Sequence, residues 1–312
     1  AALHSRPLAV IFAVALILTY AGGFNMLASY NLQSTFSGYS FYNAESTPWV
    51  IGAILAVLVG YCVMGGGKRI IKFTSTLVPF MGGLYVLVSL VVLVMNIGNL
   101  PYVFGRIFSE AFDFQAIFSG FAGSAMMYGI KRGLFSNEGL VQMLSVFIDT
   151  LLICSATAFM LLCSGVEPTA ELEGAPYVQA ALSATFGPIG PIFITVAMVL
   201  FAFTTLIGNL YYVDNCLAYI VKKVPAKEFM ILFRIDAMIL IFIGAAMQIS
   251  TVWNLADVLM GIMAILNLPV IVILARPALA ALKDYTTQKK QGKNPVFKAA
   301  SIGLKEKTDY WN

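Results

Sequence analysis

Two groups of polar residues stand out against an otherwise apolar chain. The first is the run Gly129-Ile130-Lys131-Arg132-Gly133-Leu134-Phe135-Ser136-Asn137-Glu138, which closes the mostly apolar segment from Phe114 to Tyr128. In so apolar a chain, a polar, glycine-punctuated helix end is where irregular backbone can line a water-filled cavity, although a solvated helix end would carry the same residues. Phe135 offers an aromatic face to close over a small molecule, and Ser136 and Asn137 offer groups for its carboxylate or amine; the competing reading is a packing phenylalanine. The second group is Thr204 and Thr205, two hydroxyls in the middle of an apolar stretch. Hydroxyl and carbonyl oxygens suit a hard cation such as sodium, with the threonine and a freed neighbouring carbonyl each supplying one. The same hydroxyls can instead bond back to the carbonyl four residues earlier. Asn25 and Trp253 are further candidates, the first also readable as a helix-to-helix hydrogen bond and the second as an interfacial belt residue.

Helices in a bilayer must position these groups. Of 312 residues, 60% are hydrophobic and 11% charged, and the mean hydropathy is +0.86. A soluble domain of this length needs far more charge to cover its surface. The apolar residues come in blocks, and about 20 residues cross a hydrocarbon core of about 30 Å. Eight spans are expected, at about 8–32, 50–64, 71–97, 114–132, 139–165, 186–221, 229–249 and 252–282, followed by a polar tail at 283–312. The second is short unless it starts near Pro48. The third and sixth contain proline and glycine able to tilt or break them, at Pro79, Gly82 and Gly83 and at Gly187, Pro188, Gly190 and Pro191. The fold class is therefore an all-α polytopic membrane protein.

Charge orients the spans. Lys68, Arg69 and Lys72, then Lys131 and Arg132, then Lys222, Lys223 and Lys227, and finally the lysine-rich tail fall on alternate connections. The intervening connections carry Glu45, then Arg106 with Glu110 and Asp113, then Glu167, Glu171 and Glu173. Under strict alternation every basic connection lies on one side, which makes that side cytoplasmic and places the C-terminal tail inside.

Four carboxylates lie in or near apolar spans, where an ionisable group is a functional candidate by default. Asp214 and Asp236 lie near cytoplasmic ends, with Asp236 close to Arg234, so salt bridging is the expected role. Asp149 sits deeper and reads as a structural partner or an ion ligand; Asp257 lies nearer the outer interface. Catalytic signals are poor. His4 is the lone histidine, and Cys62, Cys154, Cys163 and Cys216 form no CxxC pair. Gly65-Gly66-Gly67-Lys68 lacks the spacing of a phosphate loop and reads as a tight turn. No nucleophile–base pair supports an enzyme, no continuous polar stripe supports a channel, and neither a cofactor nor a nucleic-acid partner is indicated.

Gly129 to Glu138 resembles the signature of the alanine or glycine:cation symporters, the sodium:alanine symporter family. Gly139-Leu140-Val141-Gln142-Met143, Phe147-Ile148-Asp149-Thr150, Val94-Met95-Asn96-Ile97 with Leu100-Pro101, Phe201-Ala202-Phe203-Thr204-Thr205 with Gly208-Asn209, and Trp253-Asn254-Leu255-Ala256-Asp257 fit as well. The resemblance implies a leucine-transporter-like fold of two inverted five-helix repeats. It further implies sodium-coupled symport of alanine, glycine or a similar amino acid across a bacterial or archaeal cytoplasmic membrane. It implies that Phe135, Ser136, Asn137, Asn25 and Trp253 face the substrate, and that Thr204 and Thr205 hold sodium. Measured against the family's eleven spans, the first three and a stretch after Glu138 are missing, and Ala28-Ser29-Tyr30 stands where many members have Gln-Ala-Asn. The start at Ala1 fits the interior of a longer protein, and the abutment of Glu138 on Gly139 reads either as a broken joint shared by two helices or as a stretch missing between them. A non-transporting fragment or packing partner is the alternative.

Overall fold

The computed structural model describes residues 6–111, 144, 147–167, 169, 172, 174–221, 225–296, 298, 301 and 303; regular structure among these is helical throughout. In chain order the elements are α1 (Arg6–Ile17), a π-helical segment (Leu18–Phe24), α2 (Asn25–Ser34), α3 (Thr47–Met64), α4 (Gly67–Met95) and α5 (Leu100–Ala111). A second π-helical segment (Ile148–Cys154) leads into α6 (Ser155–Cys163), followed by α7 (Ala175–Phe186), α8 (Ile189–Val221), α9 (Lys227–Ala246) and α10 (Ile249–Lys290). Among the described residues, six helices are long and apolar enough to cross a membrane: Pro7–Ser34, Thr47–Met64, Arg69–Met95, Ile189–Val221, Lys227–Ala246 and Ile249–Ile273. Ile148–Cys163 is a shorter apolar helix within the expected fifth span, and the expected fourth span at 114–132 lies outside the described residues.

The helix ends refine the expected spans for identifiable reasons. α3 begins at Thr47 with Pro48 in its first turn, where the missing N–H has no helical partner to lose. Its 18 residues reach about 27 Å at 1.5 Å per residue. Pro79 is held inside α4 and does not end it. The sixth span, by contrast, is trimmed at its start: Phe186 closes α7, Gly187 takes a φ of 62°, and α8 runs unbroken from Ile189 to Val221. Gly66, with φ of 76°, makes the tight turn between α3 and α4. Beside it Arg69 lies over the Tyr61 ring at 4.5 Å and donates to the Tyr61 carbonyl at 2.8 Å.

The chain divides into two units. One comprises Ala13–Gly105 and Ala156–Gly261, the other Ala1–Phe12, Arg106–Ser155 and Ile262–Asn312. In the first, α8 and α9 both pack on α2 and α3 around Leu55, Val59, Val63, Leu206, Leu210 and Ile241. In a bilayer such a core is held by close van der Waals fit rather than by escape from water, so small residues at crossings decide how near helices come. Gly244 of α9 meets α2: a Cβ there would lie 2.5 Å from the Met26 Cα. At Gly52 of α3 a Cβ would lie 2.8 Å from the Ala245 Cβ and 3.0 Å from the Phe242 carbonyl. Asp214 and Arg234 tie α8 to α9 through an ion pair at 2.7 Å. The sequence suggested Asp236 as the arginine's neighbour, but Asp236 is exposed on α9 itself. The partner comes from the adjoining helix.

In the detergent-solubilised protein, Gly244→Ala forces backbone apart and lowers stability by about 1–3 kcal/mol, the usual range for overpacking. Gly83→Ala, where no described atom lies within 4 Å, leaves the thermal midpoint unchanged or slightly raised. Thermal unfolding monitored by intrinsic fluorescence compares the two. Asp214→Ala costs about 1–2 kcal/mol, below the range for a fully buried pair because both side chains keep some solvent contact. Adding Arg234→Ala restores part of that loss, and a double-mutant cycle measures the coupling.

Candidate functional site

Asn25 is the first residue of α2, directly after the π-helical segment, and is fully buried. Its position depends on that segment. A π turn inserts a residue relative to α-helical spacing and re-aims the side chains beyond it. Gly23 lets the segment lie close to α10, since a Cβ there would lie 3.1 Å from the Ala256 Cα. Thr19, also buried in this segment, donates to the Ala15 carbonyl at 2.7 Å, with the Leu259 carbonyl of α10 at 3.3 Å. Four residues beyond Asn25, Ser29 donates to the Ile241 carbonyl of α9 at 2.7 Å.

Asn25 itself turns to α8. Its Oδ1 accepts a hydrogen bond from Nδ2 of Asn209 at 3.0 Å, and its own Nδ2 is buried with no partner. Asn209 is 7% exposed. One step along the pair of helices, the Tyr20 and Tyr212 rings meet edge to face at 6.0 Å between centroids. Asn25 against Asn209 and Tyr20 against Tyr212 show the two segments running antiparallel.

α8 also carries the threonine pair. It is an unbroken helix through both, so no carbonyl is freed by unwinding there. Thr204 is buried, and its hydroxyl lies 3.0 Å from the carbonyls of both Leu200 and Phe201. That is the back-bonded arrangement. It does not use up the oxygen, because a hydroxyl donates one proton and keeps two lone pairs. Thr205 is exposed. With Gly208, Asn209 and Tyr212 it forms a stripe at helical spacing, so Thr205 and Asn209 share one face of α8. Among the described residues nothing lies within 4 Å of a Cβ placed at Gly208 or at Gly22.

Trp253 lies on α10 beside the buried Val252 and Ala256, its own side chain 41% exposed. Phe135, Ser136 and Asn137, with the whole run from Gly129 to Glu138 and its junction to Gly139, lie outside the described residues. Asp149 and Asp257 are both exposed. The described residues hold no group of three or more His, Cys, Asp or Glu able to bind a metal together.

A second polar cluster escaped the sequence reading. Gln179 of α7 donates to the Thr35 carbonyl at 2.8 Å and to the Thr195 hydroxyl of α8 at 2.9 Å. The Tyr39 hydroxyl also meets Thr195 at 2.9 Å, and Thr195 donates to the Pro191 carbonyl at 2.9 Å. Tyr42 donates to Oε1 of Gln33 at 2.9 Å, and partial burial raises its phenol pKa, which keeps the donor proton in place. The Gln179 and Tyr39 bonds fasten α7 and the start of α8 to the 35–46 connection, and Tyr42 ties that connection back to α2. A glutamine in an apolar twelve-residue helix was the available signal. Asn209 was missed as Asn25's partner because a pairing between distant helices leaves no periodicity.

Comparison with known proteins agrees with these features. The profile of the sodium:alanine symporter family matches residues 1–139 and 138–299, two stretches that meet at the Glu138–Gly139 junction. The amino-acid carrier protein AlsT of Bacillus subtilis is 35% identical over 97% of this chain and 68% of its own length. A sodium/proton-dependent alanine carrier protein of Bacillus sp. strain PS3 is 36% identical over 87% of the chain and 69% of its length. The sodium/alanine symporter AgcS of Methanococcus maripaludis is 35% identical over 79% of the chain and 59% of its length. With six membrane-length apolar helices among the described residues and similarity along nearly all its length to proteins that carry solutes rather than transform them, the chain belongs to the sodium:alanine symporter family.

Proposed function

We propose that this protein couples sodium entry to the uptake of a small neutral amino acid, alanine or glycine, by alternating access. It would do so on a leucine-transporter-like scaffold in the cytoplasmic membrane, with its C-terminal tail inside. The observation that carries the reading is the polar seam between α2 and α8. A fully buried asparagine there keeps an unpaired amide donor, on the helix packed against the one bearing Thr204 and Thr205. Family membership supplies the class of solute and ion.

The roles rest on donor chemistry. Thr204 and Thr205 provide neutral oxygens for sodium, with the Thr204 proton parked on the carbonyls of its own helix and its lone pairs free. Asn25 provides an N–H for an acceptor on the substrate. The family resemblance adds Phe135, Ser136 and Asn137 as further substrate residues by motif, and Trp253 as a weaker candidate. Moving one sodium across 100 mV supplies about 2.3 kcal/mol, roughly a 50-fold concentration ratio for a neutral solute carried with it.

Counterflow of labelled alanine in proteoliposomes, with and without sodium, tests this directly. Sodium-dependent exchange that unlabelled alanine or glycine competes away is the expected result, and absence of flux in both conditions defeats it. Thr204→Val and Thr205→Val remove the proposed ion oxygens. Each raises the sodium concentration for half-maximal uptake by about tenfold or more, as expected for losing roughly 1.4 kcal/mol of ligand binding. Unchanged sodium dependence in the double variant would remove the pair from the ion site.

A further inference from the structure

Asn209 has no role in the proposed transport reading, yet it decides which end of the Asn25 amide faces the substrate. An asparagine side chain carries an acceptor oxygen and a donor nitrogen on opposite sides of one carbon, so bonding one end aims the other. Asn209 donates through Nδ2 to Asn25 Oδ1 at 3.0 Å. That bond turns the Asn25 oxygen toward α8 and leaves its Nδ2, fully buried and unpaired, as the group on offer. A cation would reject that N–H; a carboxylate or carbonyl oxygen would accept it. An unpaired amide donor away from water is expensive to maintain, which favours an oxygen acceptor arriving with the ligand. Among the described residues nothing lies within 4 Å of a Cβ placed at Gly22, three residues before Asn25, or at Gly208, next to Asn209.

We infer that Asn209 is a positioning residue for substrate selection: it holds the Asn25 amide in the orientation that donates to the carboxylate of a bound amino acid. It thereby sorts the seam into a face for the anionic end of the substrate and, one turn along α8 at Thr205, a face for the cation. This rests on the proposed sodium-coupled transport.

The informative change is Asn209→Asp. A carboxylate only accepts, so it draws Asn25 Nδ2 to itself and turns the Asn25 oxygen toward the ligand carboxylate, with nearly unchanged volume. The expected result in sodium-driven proteoliposome uptake is a KM for alanine raised about tenfold or more. Vmax stays within about twofold, and the sodium concentration for half-maximal uptake does not move. Asn209→Gln keeps the donor and restores much of the affinity. Alanine-induced stabilisation against heat, measured on the same purified proteins, falls in parallel for Asn209→Asp and returns for Asn209→Gln. Should the aspartate variant not fold, Asn209→Ser and Asn209→Ala supply the same comparison by releasing the amide. Wild-type flux with an unaltered alanine KM in these variants overturns the positioning role alone. A shift in sodium dependence with alanine KM unchanged reassigns the seam to the ion and overturns it as well. Absence of flux and of alanine-induced stabilisation in the wild type defeats the transport reading and this one together.

Discussion

A bilayer supplies no water to satisfy polar groups, so each hydroxyl and amide in these helices must find its partner within the protein. Thr19, Ser29 and Thr204 meet this by bonding to backbone carbonyls, Thr19 and Thr204 within their own segments and Ser29 across to α9. Asn25 and Asn209 meet it in part by bonding to each other, which leaves the Asn25 Nδ2 as the exception, and that bond requires close helices. α2 approaches α9 only because Gly244 lacks a side chain, and the π-helical segment approaches α10 only because Gly23 does. At the α2–α9 crossing the glycine contact and the polar bond are two aspects of one constraint, since widening it would strand the buried Ser29 hydroxyl.

The π-helical stretch from Leu18 to Phe24 works in the same direction. A regular α-helix through Asn25 would place it on a face continuous with the residues four and seven before it. Wider turns shift that register by roughly one residue, about 100° of rotation at 3.6 residues per turn. Asn25 then reaches α8 while Ser29, only four residues on, reaches α9. One segment thus serves two neighbours with two kinds of bond.

How much of this was legible in the sequence depends on whether the cause was local. Of the eight spans read from the apolar blocks, six are membrane-length helices among the described residues, because hydropathy is a property of each segment alone. The break at Gly187 was visible as a cluster of glycine and proline, though not which residue would carry it. Asp214 and Arg234 were both noticed, but their mutual bond depends on how α8 lies against α9, which neither segment encodes by itself. The same holds for Gln179, Thr195 and Tyr39, three separate stretches that become one cluster only after packing. Thr204 was recognised with both readings open. Its hydroxyl adopts the back-bonded geometry, and the lone-pair count shows why that leaves cation binding possible.

The placement of these groups bears on how two solutes could be coupled. On the proposed reading, Thr204 and Thr205 touch the ion, Asn25 touches the amino acid, and Asn209 joins Asn25 to the ion's helix. Coupling between two ligands is a free energy shared by both, so whichever binds first must help the other equally. A rigid α8 makes that sharing direct. Ordering its middle turn around sodium also orders Asn209, one turn from Thr205, and through it the amide that receives the substrate. The ion pair of Asp214 with Arg234 lies just over one turn beyond Asn209 on the same helix, fixing α8 against α9. A motion that carried α8 away from α2 would therefore break the Asn25–Asn209 bond before it disturbed the ion pair, releasing the substrate's donor while the ion pair kept the helix attached to α9.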